Sequence, residues 1–311
     1  MKKALVAGAS GGIGYALVLE LVSRRVEVVA FSRGKAKLDS LYKEHNHVTI
    51  FPGDALNESD MMKAAEGVDV IFHAVSFPYP EWEEKHLACI DIMIKTAQTQ
   101  QAKIALADNI YAYGLQSNGK VTEAAKKNPH TKKGKIRLDM ENRLKQSSVP
   151  SLIVHLPDLY GPNAENTVFY ETLKNAIQNK TANFVGNTKI AREFIYTFDG
   201  AKAVVELALR EDAYNQNWNI PSSRPITGEE LVAILRDETG YSKSIRPVSK
   251  TMIRLIGLFS PFMKEMVEMM YLTETPVILS GEKYEKEIGP LHQTSYQEGL
   301  RETLAWMNKT K

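Results

Sequence analysis

Seven residues near the N-terminus, Gly8-Ala9-Ser10-Gly11-Gly12-Ile13-Gly14, carry the strongest chemical signal in the sequence. They follow an apolar run, Lys3–Ala7, and precede a helical pattern in which Ile13, Leu17 and Leu21 share one face. Glycines at a strand-to-helix turn let the backbone come close to a pyrophosphate, and the helix start offers unpaired N–H groups and a favourable dipole. Such a cluster can be a plain tight turn, but here the strand and the helix stand on the required sides. Other residues are harder to read from type alone. Phe77-Pro78-Tyr79-Pro80-Glu81-Trp82 is either a substrate wall, with Phe77 part of it, or a prolyl-aromatic surface loop. Met252, Met263, Met266, Met269 and Met270 fall at mainly helical spacing and read as packing before they read as a substrate lid. Cys89, the one cysteine, reads as a buried thiol, so neither a disulfide framework nor a metal site is expected.

The elements that must position these residues alternate along the first half of the chain. Strands are expected at Lys3–Ala7, Val26–Phe31, His47–Phe51, Asp69–Val75, Lys103–Asp108 and Ser151–Leu156. Helical patterns lie between them, near Leu56–Glu66, Glu83–Gln100 and Gly134–Gln146. Near-continuous apolar strands alternating with helices imply an α/β fold, a doubly wound parallel sheet of the Rossmann kind covered on both faces. After Pro162 the alternation weakens. Residues 1–162 are therefore expected to form the dinucleotide-binding domain, with 194–210 returning to it. Residues 163–193 and 211–311 would form mainly a smaller, discontinuous substrate lobe.

The Gly-x-x-Gly-x-x-Gly spacing resembles that of short-chain dehydrogenases, in particular their extended epimerase/dehydratase branch, and the resemblance covers most of the chain. It implies a nicotinamide dinucleotide held by Gly8, Ser10, Gly11, Gly12, Ile13 and Gly14. At the end of the second strand the family's NAD-binding members carry an Asp; Ser32 stands here, followed by Arg33. A carboxylate would repel a 2′-phosphate, whereas a hydroxyl beside a guanidinium would accept one, which points to NADP(H) before NAD(H). A solvated loop arginine is the plainer reading of Arg33. Gly53-Asp54-Ala55 is similar to the element that holds the adenine, and His73-Ala74-Val75-Ser76 to the segment along the bridging phosphates and ribose. The stretch from Pro157 through Leu159 and Tyr160 to Pro162 is similar to the loop near the nicotinamide. Arg192-Glu193-Phe194-Ile195-Tyr196 is similar to the element returning from the substrate lobe, which places Tyr160 and Arg192 near the substrate.

The resemblance breaks at the catalytic positions. Anchored on Tyr113-Gly114, the family's Ser falls on Asn109, its Tyr on Lys133 and its Lys on Arg137. Asn109 can still donate a hydrogen bond to a reacting oxygen, and Arg137 can still hold ribose hydroxyls. Lys133 lies in the lysine-rich run 126–135, which reads equally as a solvated loop. Tyr111, Tyr113, Tyr160 and His155 are alternative acids, and His86 stands where sugar-nucleotide members often carry Asn. The resemblance thus implies an oxidoreductase moving hydride at a carbonyl or carbinol carbon of a small molecule or sugar nucleotide. The rival is a cofactor-binding sensor or scaffold that acts on a protein partner.

With 43% apolar and 24% charged residues and a net charge of +2, the 311-residue chain points to neither nucleic acid nor membrane as a partner. The N-terminal apolar run reads as a buried strand and not as a leader, so a cytoplasmic location is expected. A homodimer is also expected, paired through Glu83–Gln100 and Gly134–Gln146 with Ile90, Met93, Leu138 and Leu144 facing outward.

Overall fold

Six parallel strands take up the apolar runs of the first half: β1 (Lys3–Ala7), β2 (Glu27–Ser32), β3 (Val48–Pro52), β4 (Val70–His73), β5 (Lys103–Asn109) and β6 (Ser151–Leu156). The computed structural model describes residues 1–116 and 119–309. Between the strands run α1 (Gly12–Ser23), α2 (Lys35–Tyr42), α3 (Glu58–Ala64), α4 (Trp82–Gln100) and α5 (Lys132–Gln146). The remaining elements are β7 (Asp158–Tyr160), α6 (Tyr170–Ile177), β8 (Ala182–Val185), β9 (Phe194–Tyr196), α7 (Thr197–Ala208), β10 (Gln216–Asn219), α8 (Gly228–Thr239), β11 (Ile245–Val248), α9 (Lys250–Ile256), α10 (Pro261–Met266), α11 (Glu282–Glu287) and α12 (Tyr296–Lys309).

The sheet order is β10-β6-β5-β4-β1-β2-β3, every pair parallel. The chain runs outward from β1 to β3, then crosses to β4 on the other side of β1. That reversal leaves a crevice at the carboxyl ends of β1 and β4, where ligands of open α/β sheets bind. One face is covered by α3, α4 and α5 through Met61, Met93, Met140 and Leu144; the other by α1 and α7 through Leu17, Leu21, Val204 and Leu207. A third cluster, including Phe169, Leu173, Phe184, Leu231, Leu235 and Leu300, forms the core of the smaller lobe.

The seventh strand, β10, comes from the stretch assigned mainly to the smaller lobe, as does α11, whose Tyr284 joins the sheet's core. A strand of four residues with Trp218 as its only apolar member offers no periodicity to read. Ile90, Met93 and Leu144 do not face outward: all are fully buried against the sheet, and Leu138 is half-buried. Charged residues such as Arg143 and Asp91, which pair with each other, lie on the exposed side of these helices, so the apolar face offered for a dimer is the core face.

Glu193, just before β9, ties three separate segments of the chain together. Its carboxylate accepts hydrogen bonds from the Ser222 N–H at 3.1 Å, the Ser222 hydroxyl at 3.3 Å and the Leu279 N–H at 2.8 Å. Burial raises this carboxyl to about 7, against the pull of those donors. Because the folded value lies above the unfolded one, the stability linked to this proton is full at low pH and is lost as pH rises through about 7. We expect Glu193→Gln, which cannot ionise, to flatten stability between about pH 5 and pH 8. Thermal unfolding across that range checks it; an unchanged slope would remove Glu193 from the account.

Candidate active site

The phosphate loop is built from close backbone approaches that only glycine allows. Gly8 has φ +91°, and a Cβ there would lie 2.4 Å from the Ala74 carbonyl oxygen at the end of β4. At Gly14 a Cβ would meet the Gly8 carbonyl at 2.1 Å, so α1 sits hard against β1. By contrast, a Cβ on Gly11 would have only the Gly8 carbonyl nearby, at 3.5 Å. Gly11 is also the N-cap of α1, and no side chain caps that helix start. A phosphate can therefore take up the first-turn N–H groups from the open side. The loop after β7 covers the turn from above. Asn163 donates from Nδ2 to the carbonyls of Ser10 and Gly11 at 3.1 and 3.4 Å, and Ala164 fills the space a Cβ on Gly12 would need. Lys37 of α2 meets Glu165 of the same loop at 3.1 Å.

At the end of β2 the Ser32 hydroxyl is buried without a partner, and the exposed Arg33 side chain meets none among the described residues. An orphaned donor beside a free guanidinium fits a polar, anionic ligand group there. At the end of β3, Asp54 accepts from the Leu56 N–H at 3.0 Å with one oxygen, and Ala55 is buried beneath. Together with the phosphate loop, these features fit a dinucleotide laid along the carboxyl edge of the sheet.

Beyond β1 the crevice opens into a cavity of about 200 Å³, lined by Ile13, Ala74–Ser76, Asn109, Arg137 and Pro157–Leu159. It thus brings together eight residues assigned from the sequence with Tyr111, offered there as an alternative acid, and Tyr79 and Trp82 of the prolyl-aromatic stretch, and it adds Asp108 and Asp158. Arg137 is buried, with Nη1 3.1 Å from Asp108 Oδ1 and its guanidinium 4.5 Å over the Trp82 ring. Burial, reinforced by that cation, pushes the His73 imidazole down to about 3 and lowers His86 as well, so both are neutral. Asn109 accepts from the Tyr111 N–H through Oδ1 at 2.9 Å, which leaves its Nδ2 as a donor. The Tyr111 and Tyr79 hydroxyls are 2.9 Å apart. Burial raises Tyr111 well above its usual range and Tyr79 to about 12, so both phenols are protonated near neutrality. Burial also raises the Asp158 carboxyl, against the pull of Arg192.

A second, smaller space of about 30 Å³ adjoins the first, sharing Tyr79, Tyr111 and Asp158. Arg192, Met266, Met269 and Met270 line it as well. Met266, Met269 and Met270 thus line this space, while Met263, Met266 and Met270 also pack in a small core, as expected. Four other assigned residues lie elsewhere. Lys133 is buried, with 1% of its side chain exposed, and pairs with Glu265 and, at 2.9 Å, with Glu268. It is not part of a solvated loop. Tyr113 is buried and donates to Asn219 Oδ1 at 2.7 Å. Tyr160 stacks on Tyr296 within the smaller lobe's core. Phe77 packs edge-on to His86.

At the back of the cavity, Asp108, Glu141 and His155 each bring an oxygen or nitrogen within 4.8 Å of the others. Lys127 already supplies the positive charge: its ammonium pairs with Glu141 and lies 2.8 Å from His155 Nε2. The bonds from His155 and Lys127 outweigh burial and hold Glu141 down at about 2. Tyr79 and Asp158 were not singled out from the sequence as catalytic candidates. The only signals were a tyrosine in the prolyl-aromatic stretch and an acid between Pro157 and Leu159.

A family model described as NAD(P)H-binding matches residues 8–195. A Bacillus subtilis (strain 168) protein, named as an uncharacterized UDP-glucose epimerase, is 24% identical over 78% of this chain and 84% of its own. UDP-glucuronic acid 4-epimerase from Bacillus cereus, solved with NAD, superposes with a TM-score of 0.81 at 17% identity, over 99% of each chain. The dTDP-glucose 4,6-dehydratase of Bacillus anthracis, also with NAD, gives 0.82 at 16% identity, over 100% of this chain and 98% of that one. The structural matches show that the chain has the fold of these enzymes.

Lys133 joins the start of α5 to α10 and the helical turn that follows it. Removing a buried cation leaves two carboxylates facing each other, a loss of about 2–4 kcal/mol. Lys133→Met should lower the thermal midpoint accordingly while cofactor titration stays unchanged. A variant with normal stability would show that the pair contributes nothing.

Proposed function

The chain belongs to the NAD(P)H-binding family, and on that premise we propose that it is an oxidoreductase of the extended epimerase/dehydratase type, acting in the cavity above β4 and β5. The observation that carries the reading is that cavity itself. The segments Ala74–Ser76 and Pro157–Leu159 line it together with three groups able to serve a reacting oxygen: Asn109, Tyr111 and Asp158. The nicotinamide, when bound, supplies or accepts the hydride. The N-terminus of α1 and Gly11 hold the pyrophosphate, and Arg137 offers donors to ribose hydroxyls. Ser32 and Arg33 take the 2′-phosphate, which makes NADP(H) the preferred cofactor.

Asn109 orients the substrate oxygen through Nδ2. Tyr111, a neutral phenol bonded to Tyr79, gives that oxygen a proton in the reducing direction and replaces the family's tyrosine. Asp158, whose carboxyl is raised by burial, is the reserve acid beside the pair. The substrate is a small carbonyl compound or a nucleotide-linked sugar, the class named for the relatives. The adjoining space of about 30 Å³ holds little more than a water, so the methionine wall must shift to admit a sugar ring.

Fluorescence titration should show NADPH binding more tightly than NADH, with Arg33→Ala erasing the difference; equal affinities in the unaltered protein would exclude the 2′-phosphate assignment. Steady-state cofactor oxidation with small carbonyls and nucleotide sugars tests the chemistry. Tyr111→Phe should cut turnover roughly 10²–10⁴-fold while leaving cofactor affinity intact. Unimpaired turnover in that variant would transfer the proton step to another group.

A further inference from the structure

Of the eight large apolar side chains exposed among the described residues, six lie between Met252 and Phe262: Met252, Leu255, Ile256, Leu258, Phe259 and Phe262. Three of them, Met252, Leu255 and Ile256, lie on α9 at the spacing of one helical face, and that face points to solvent while Ile253 points inward. Leu258 and Phe259 form the tip between α9 and α10, 73% and 91% exposed. Beneath the tip, Val248, Ile253 and Met270 form a small core with Met263 and Met266, so the hairpin is folded with its apolar side out.

Charge on this segment is one-sided. From Lys243 to Lys264 the chain carries Lys243, Arg246, Lys250, Arg254 and Lys264 and no acidic residue. None of these five cations has an ion-pair partner among the described residues. Elsewhere exposed lysines and arginines commonly do, as with Lys35 and Asp39 or Arg301 and Glu238. A protruding apolar tip flanked by free cations matches an interfacial membrane element, in which the apolar residues enter the acyl boundary and the cations stay at the headgroups. A second copy of the chain is the poorer occupant, because a two-fold contact would press five unpaired cations against five more.

We propose that the α9–α10 hairpin is a peripheral docking site for a membrane surface rich in anionic phospholipid. This is compatible with the lack of any helix long and apolar enough to cross a membrane among the described residues, and it adds a partner that the composition did not suggest. The claim is independent of the cofactor chemistry.

Flotation of the full chain with vesicles tests it, comparing phosphatidylcholine alone with an equal mixture of phosphatidylcholine and phosphatidylglycerol. The protein should float with the mixed vesicles, more weakly with the neutral ones, and less as salt is raised. Leu258→Ser with Phe259→Ser should lower the partition coefficient at least ~10-fold, and Lys250→Glu with Arg254→Glu should abolish the preference for anionic vesicles. Leu258, Phe259 and Arg254 are exposed and Lys250 is half-buried without an ion-pair partner among the described residues, so thermal midpoint and cofactor titration should match the unaltered protein. Absence of flotation, or equal flotation with both vesicle types, overturns the proposal. So does a concentration-dependent dimer in sedimentation that the Leu258→Ser, Phe259→Ser variant loses, which would assign the tip to a second copy.

Discussion

A single buried guanidinium organises the cavity. Arg137 cannot be left unpaired in apolar surroundings, and Asp108 meets it at 3.1 Å. The same Asp108 oxygen accepts the Asn109 N–H at 2.7 Å, Asn109 in turn accepts the Tyr111 N–H, and Tyr111 meets Tyr79. A cation on α5 is thus connected, bond by bond, to two phenols on the opposite wall. The chain of contacts fixes which end of the Asn109 amide is free, and its cation adds to the burial that keeps His73 and His86 neutral. Displacing Arg137 would disturb each of these groups in turn, whereas losing Tyr79 would leave the others in place.

The parallel sheet was readable because its strands are buried on both faces and its helices on one, so two periodicities alternate for 150 residues. The glycine turn was readable for a different reason: a backbone approaching within 2.4 Å of where a side chain would begin leaves no choice of residue. The catalytic wall offered no such signature. Lys133 and Lys127 stand in a lysine-rich run whose composition suggests solvent, yet Lys133 is buried and Lys127 half-buried, because their partners Glu265, Glu268 and Glu141 lie outside that run. Tyr113 and Tyr160 were plausible by position in the chain, but their rings turn into two different cores. Local patterns record which face of an element is apolar. They do not record which distant carboxylate will neutralise a given cation.

The hairpin of α9 and α10 and the cavity share a boundary. Phe262 stacks on Tyr79 at 5.3 Å between ring centres, with the planes 10° apart, and Tyr79 is one of the two phenols beside the candidate reaction centre. Lys133 lies 5.2 Å over the same ring. Tyr79 is therefore flanked by Lys133 of α5 and by Phe262 of α10. Anything that moves α10 moves the packing of a residue in the site.

The loop after β7 lies across the phosphate turn, with Asn163 on the carbonyls of Ser10 and Gly11 and Glu165 reaching Lys37. The Asn163 contacts join residues 153 and 152 positions apart, so the shape of the phosphate turn depends on a segment about half the chain away. A change in the loop after β7 is therefore also a change in the backbone that faces the first turn of α1.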